Sequence, residues 1–223
     1  MEVQNRVPDA VARRLPSYYR NLCDLEEQGI RRISSQALGK HMGLTASQIR
    51  QDINYFGGFG QQGYGYHVPN LRECIAQIIG LDRTHQMIIV GAGNIGSAIA
   101  YYTGFQNKSF ALRAIFDSDA QKVGKHIRDI PVLAAQELEA YLQENAVDIL
   151  VLTTPAKYAK DIVEIAARGH VRAIWNFTPV DVTADQAMEV SNVHLSDSLM
   201  ALTFRLHERE VHSQKDLTWV HED

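Results

Sequence analysis

Three closely spaced glycines carry the clearest chemical signal in the chain. In Gly91-Ala92-Gly93-Asn94-Ile95-Gly96 the first glycine permits a tight turn, the second lets backbone approach a pyrophosphate, and the third lets a helix pack closely on a strand. The N–H groups at the start of that helix then face the phosphates. The apolar run MIIV precedes the motif and a helical stretch follows it, the strand-turn-helix setting that makes such a match specific. Asp117 closes the strand-like segment FALRAIFD 21 residues after Gly96. A carboxylate there accepts hydrogen bonds from adenosine ribose hydroxyls and repels a 2′-phosphate, which favours NAD+ and NADH over their phosphorylated forms. Gly91, Gly93, Asn94, Ile95, Gly96 and Asp117 are therefore the expected nucleotide contacts. Thr153, Thr154 and Pro155, then Asn176, Phe177, Thr178 and Pro179, each follow a later strand and are expected to line the nicotinamide pocket.

No hydride-transfer constellation accompanies this site. Neither loop offers a positioned acid or base with a substrate-anchoring arginine, and His170 sits in a turn, so no catalytic residue is expected. Cys23 and Cys74 lie in separate helical segments with no metal-ligand spacing, and read as reduced thiols. An NAD-dependent oxidoreductase with a helical oligomerisation domain is the rival reading, and steady hydride transfer to a small carbonyl compound would support it.

The second chemical signal lies near the N-terminus. From Thr45 to Asn54, Ile49 and Ile53 face inward at a four-residue spacing, leaving Ser47, Gln48, Arg50, Gln51 and Asn54 on the other face. Arginine reads guanine and glutamine reads adenine through paired hydrogen bonds in the major groove, so this face has the chemistry to read duplex DNA.

The elements around these residues fit both uses. Apolar residues from Val11 to Leu25 recur at helical steps, predicting one helix from Pro8 to Gly29. Ser34 and Ser35 cap a short helix to Lys40, His41-Met42-Gly43 breaks it, and Thr45 opens the next, giving a helix-turn-helix. The glycine-rich and aromatic stretch 57–66 reads as a hairpin, a wing whose Gln62, Gly63 and Tyr64 are further candidate DNA contacts. Pro69 starts another helix, ending near Gly80. From Gln86 onward, strands MIIV, FALRAIFD, DILVL and VRAIW alternate with helical stretches, which predicts an α/β doubly wound parallel sheet. Leu195, Leu199, Leu202 and Leu206 then mark a last helix with an apolar face that needs a partner. The expected domains are 1–83, a winged helix-turn-helix; 84–194, a Rossmann-like domain; and 195–223, a C-terminal helix and tail.

Charge separates the two halves. The net charge of −4 over 223 residues divides into +3 for residues 1–72 and −7 for the rest, so nucleic acid belongs with the N-terminal part. No apolar run approaches the roughly 20 residues of a membrane span, and the N-terminus lacks a secretory pattern, so no membrane partner and a cytoplasmic location are expected.

Taken together, ARRLPSYYR, SSQALGKHMGLTASQIRQDINYFG, GYGY, GAGNIGSAIA, KVGK and NFTPV resemble the Rex family of redox-sensing transcriptional repressors over about residues 6–207. The resemblance implies a homodimer with its C-terminal helix exchanged between subunits, a palindromic double-stranded operator held by the NAD+ or apo form, and release from DNA when NADH binds. It also implies a switch in which Tyr102 lies beside the nicotinamide and Arg20, on the first helix, holds the DNA-bound arrangement. The sequence departs from the family at Val193-His194-Leu195, where an aspartate is usual in place of His194. A neutral His194 can hydrogen-bond Tyr102 but makes no ion pair with Arg20, and its protonation would couple the switch to pH. Asp197 is the nearby substitute. Gln51 and the wing's Gly60-Gln61-Gln62-Gly63 stand where the family usually has basic residues, which predicts fewer neutralised phosphates and a shallower salt dependence. A repressor sensing another nucleotide is the second rival.

Overall fold

The computed structural model describes residues 7–57, 60–61, 64–102, 109–185 and 187–218. The chain divides into two compact units, Met1–Arg83 and Thr84–Asp223.

The first unit begins with α1 (Asp9–Ala12) and α2 (Leu15–Glu27). The single helix expected from Pro8 to Gly29 is thus broken at Arg13–Arg14. Pro16, near the start of α2, has no N–H to give the Ala12 carbonyl, so the ladder restarts. At its other end α2 closes with Gly29 at φ +76, the Ile30 N–H returning to the Leu25 carbonyl at 2.9 Å. The helix α3 (Ser35–Met42) is capped by Ser34, whose Oγ accepts the Ala37 N–H, and α4 (Ala46–Asn54) by Thr45, whose Oγ1 accepts the Gln48 N–H. Between α3 and α4 the turn passes so close to Gly39 that a Cβ there would meet the Leu44 carbonyl oxygen at 2.5 Å. Strands β1 (Arg32–Ile33), β2 (Gly60–Gln61) and β3 (Gly65–His67) form a small antiparallel sheet in the order β1-β3-β2, the expected wing. Gln62 and Gly63 lie outside the described residues. The helix α5 (Val68–Ile78), started by Pro69, packs on α2, and Arg72 Nε reaches Glu26 Oε2 at 2.6 Å across that seam.

The second unit is a seven-stranded sheet in the order β10-β9-β8-β4-β5-β7-β6. Its strands are β4 (His85–Val90), β5 (Phe110–Asp117), β6 (His126–Ile127), β7 (Ile130–Ala134), β8 (Ile149–Leu152), β9 (Ala173–Asn176) and β10 (Glu189–Asn192). All neighbouring pairs are parallel except β6 with β7. Counting only the parallel strands, the order is that of the Rossmann fold, with its switch point between β4 and β8. One sheet face buries Ile88, Val90, Phe116 and Leu150 against α7 (Leu138–Glu144) and α8 (Ala159–Arg168). The other holds Met87, Ile89, Ile115 and Val151 with Ala100 of α6 (Asn94–Tyr101). The final helix, α9, runs Leu195–Thr218. Sequence reading missed β6, β7 and β10: β6 has only two residues, β7 contains Pro131, and β10, EVSN, is a polar edge strand.

Candidate nucleotide and DNA sites

The glycine fingerprint falls where the fold needs it. Gly91 ends β4 at φ +110, and a Cβ there would come 2.7 Å from the Thr153 carbonyl oxygen. A Cβ on Gly96 would come 1.9 Å from the Gly91 carbonyl oxygen, so the turn between β4 and α6 closes only around these two glycines. Gly93 has open space around its Cβ position. It is the one fingerprint glycine whose missing side chain leaves room for something from outside.

Beside this turn lies a cleft of about 660 Å³, lined by Gly91, Gly93, Asp117, Thr153, Thr154 and Pro155 among others. Asp117 is its most constrained polar group. Oδ2 accepts the Ala92 N–H at 2.7 Å and Lys122 Nζ at 3.2 Å, and Oδ1 accepts the Asp119 N–H at 2.8 Å. Burial alone raises the Asp117 pKa, but these hydrogen bonds outweigh it and hold the carboxyl below the usual range, ionised at neutral pH. The Thr154 hydroxyl is buried with no hydrogen-bond partner among the described residues, an orphan polar atom on the wall of a cleft. Thr153 instead spends its hydroxyl on the Val90 and Gly91 carbonyls.

The remaining expected contacts divide. Asn94 and Ile95 are exposed at the start of α6. Asn176 and Thr178 are buried, and their polar atoms are taken up by each other, by the Val180 carbonyl and by Asn192 at the end of β10, which corrects the expectation that these side chains line the pocket. Asn176 Nδ2 donates to the Val180 carbonyl and to Asn192 Oδ1, while Asn176 Oδ1 accepts the Thr178 N–H and hydroxyl. They shape the loop after β9. Phe177 packs edge-on against Trp175 with ring centroids 4.6 Å apart, and Pro179 is exposed. Of the switch residues, Arg20 and Tyr102 are exposed, Tyr102 by 60%. His194 Nε2 lies 2.7 Å from Asp181 Oδ1, a partner that sequence reading did not name.

In the first unit α4 presents Ser47, Arg50, Gln51 and Asn54 to solvent and buries Ile49 and Ile53, and Tyr64 of the wing is 70% exposed. Arg50 Nη1 also reaches Ser35 Oγ at 3.2 Å. Gln48 is only half exposed, because its Nε2 donates to Asp52 Oδ1 at 2.8 Å. Asp52 was not singled out from sequence, yet it is 0% exposed and anchors the helix. Arg14 grips it through Nε and Nη2, both at 2.8 Å, and the Tyr18 hydroxyl donates at 2.9 Å. Burial again pushes the carboxyl pKa up, and the bonds from Arg14, Gln48 and Tyr18 more than reverse it. The available signal was its place in the stripe Ile49, Asp52, Ile53, Phe56: a charge on an apolar helix face needs a buried partner.

No group of His, Cys, Asp or Glu among the described residues could hold a metal, and no described helix is long and apolar enough to cross a membrane. A winged helix-turn-helix joined to a Rossmann unit with an orphaned cleft defines the class of nucleotide-responsive DNA-binding regulators. The family described as "CoA binding domain" matches residues 82–180, and that described as "Putative DNA-binding protein N-terminus" matches residues 6–54. The chain is 47% identical to the redox-sensing transcriptional repressor Rex of Clostridium beijerinckii, over 94% of this chain and 100% of the relative. It is 48% identical to that of Caldicellulosiruptor saccharolyticus, over 92% and 94%. A crystal structure of RSP in complex with β-NAD+ and operator DNA superposes with TM-score 0.86 at 45% identity, covering 96% of this chain and 98% of that one. RSP in complex with β-NADH gives 0.85 at 42%, covering 95% and 99%. The chain belongs to the Rex family of redox-sensing transcriptional repressors, regulators rather than enzymes.

Proposed function

We propose that this protein is a cytoplasmic homodimeric repressor that holds palindromic operator DNA in its NAD+ or apo form and leaves it when NADH binds. In this reading residues 1–83 read DNA, 84–194 bind the nucleotide, and 195–223 pair the subunits. The observation that carries it is the coexistence in one chain of an exposed, capped recognition helix beside a wing and a Rossmann cleft with an orphaned Thr154 hydroxyl. Asp117 takes the ribose, Gly93 admits the pyrophosphate, and Pro155, Phe177 and Pro179 border the nicotinamide end. Ser47, Arg50, Gln51, Asn54 and Tyr64 face DNA, with Gln48 held from behind. The switch is a two-state linkage: NADH favours an arrangement of the dimer in which two recognition helices no longer match successive major grooves. A coupling of about 1–3 kcal/mol changes affinity roughly 5- to 150-fold, enough to regulate transcription.

Fluorescence anisotropy tests this with duplexes selected from a random pool and titrated with NADH, NAD+, NADPH and CoA at fixed salt. Release by NADH at concentrations where the other three leave the complex intact is the expected result. Release by CoA in preference to NADH would assign a different signal, and failure to select any duplex would overturn the assignment of α4 and the wing as the DNA-reading surface.

The dimer rests on α9. At about 100° per residue, Leu195, Leu199, Leu202 and Leu206 share one face while Met200 and Phe204 fall opposite. All six are between 46% and 63% exposed in the protomer. The second apolar face goes beyond the single one expected from sequence, and a helix apolar on two sides needs a neighbour on each. That supports exchange of α9 between subunits. Replacing Leu199 and Leu206 together by Asp is expected to turn the dimer into a monomer by sedimentation velocity and to weaken DNA binding at least tenfold.

A further inference from the structure

The segment Lys122-Val123-Gly124-Lys125 is no part of the glycine fingerprint, yet the fold fixes its first residue at the mouth of the cleft. The Lys122 and Val123 N–H groups donate to the Asp119 carbonyl at 2.9 and 3.2 Å, and the Lys125 N–H donates to the Lys122 carbonyl at 3.1 Å. Gly124, at φ +81, gives its N–H to the Val132 carbonyl, and the Val132 N–H returns to the Lys125 carbonyl at 2.8 Å. The turn is therefore pinned to the end of β5 on one side and to β7 on the other. From this base Lys122 Nζ meets Asp117 Oδ2, and both residues line the cleft.

The two partners are unequally placed. The Lys122 side chain is 41% exposed and that of Asp117 only 11%. A ligand arriving at the ribose edge meets the accessible ammonium before the covered carboxylate, and that carboxylate already has a counter-charge. Rejection of a 2′-phosphate by an unpaired acid, the rule for such strand ends, is softened here by a fixed cation at the same corner.

We propose that Lys122 sets how strictly this site separates an adenosine ribose bearing a 2′-hydroxyl from one bearing a 2′-phosphate. It acts by balancing the charge of Asp117, and it becomes a direct phosphate partner when Asp117 is neutral. The inference rests on the reading of the cleft as a dinucleotide site.

The test is isothermal titration calorimetry of the full-length dimer with NADH and NADPH. Lys122→Met leaves Asp117 uncompensated and is expected to raise the NADPH-to-NADH ratio of dissociation constants about tenfold, with a smaller effect at high salt. Asp117→Asn frees the ammonium and is expected to tighten NADPH above wild type. The double variant is expected to lose that gain, because the neutral Asn then has no cation beside it. A ratio unchanged by Lys122→Met, or a gain that survives in the double variant, overturns the inference while leaving the dinucleotide site standing. Wild-type protein that binds neither nucleotide overturns both.

Discussion

Arg14→Met is expected to lower the stability of the DNA-reading unit by about 3 kcal/mol, the cost of leaving the buried Asp52 carboxylate without its part-exposed arginine partner. Asp52 would remain fully buried with only Tyr18 and Gln48 to satisfy it. For a unit of this size such a loss lowers the unfolding midpoint by more than about 10 °C. Asp52→Asn keeps the shape and removes the charge, so it is expected to cost less, and pairing Arg14→Met with Asp52→Leu should recover much of the loss. Operator affinity should follow the same order, because α4 is held to α2 by this cluster. Differential scanning calorimetry and anisotropy on the same preparations check both; equal stability in Arg14→Met and wild type would sink the assignment. The pH dependence has a definite sign. The folded Asp52 carboxyl lies below its unfolded value, so its contribution is fully present above the unfolded pKa of about 3.9 and is lost as pH falls through the lower folded value. Asp52→Asn should flatten the acid limb of the stability curve below about pH 4 without changing its slope at neutral pH.

Two glycines of the fingerprint should fail in opposite ways. Gly96→Ala places a methyl 1.9 Å from the Gly91 carbonyl oxygen and 2.8 Å from Thr153 Oγ1, both inside a turn with no slack. The strain is structural, about 1–3 kcal/mol or more, and should appear as a less stable nucleotide-binding unit even without ligand. Gly93→Ala places its methyl in open space, so the empty protein should melt as wild type does. In the proposed function that open space is where a pyrophosphate approaches the backbone. NADH affinity should therefore fall at least tenfold while DNA binding persists, giving a repressor that no longer hears its signal. Undiminished NADH affinity in Gly93→Ala would place the phosphates elsewhere.

The parts legible in the sequence were those whose reasons are local. The strand FALRAIFD appears with its expected ends because an apolar segment interrupted only by Arg113 and closed by an acid leaves little choice, and the fingerprint reads clearly because its glycines answer to a turn a few residues long. The helix-turn-helix likewise follows from two capping hydroxyls and a left-handed glycine. What escaped depends on distance. Arg14 and Asp52 are 38 residues apart, and nothing near either names the other. Asn176 and Thr178 sit on the correct edge of the sheet, but only the fold shows that their polar atoms are consumed by Val180 and Asn192. His194 tells the same story: its substitution was visible, its neighbour Asp181 was not.

The loop that these two buried side chains shape is also the root of the last helix. Asn192 binds Asn176 and Val182, the Val193 N–H donates to the Asn176 carbonyl, His194 meets Asp181, and α9 begins at the next residue. Twenty-four residues of helix at about 1.5 Å each make an arm roughly 36 Å long. A tilt of only about 5° at that root sweeps the far tip through roughly 3 Å, close to one hydrogen-bond length. A sub-ångström adjustment of the loop is thereby magnified in proportion to the arm, so the last helix works as a pointer whose pivot is the loop after β9.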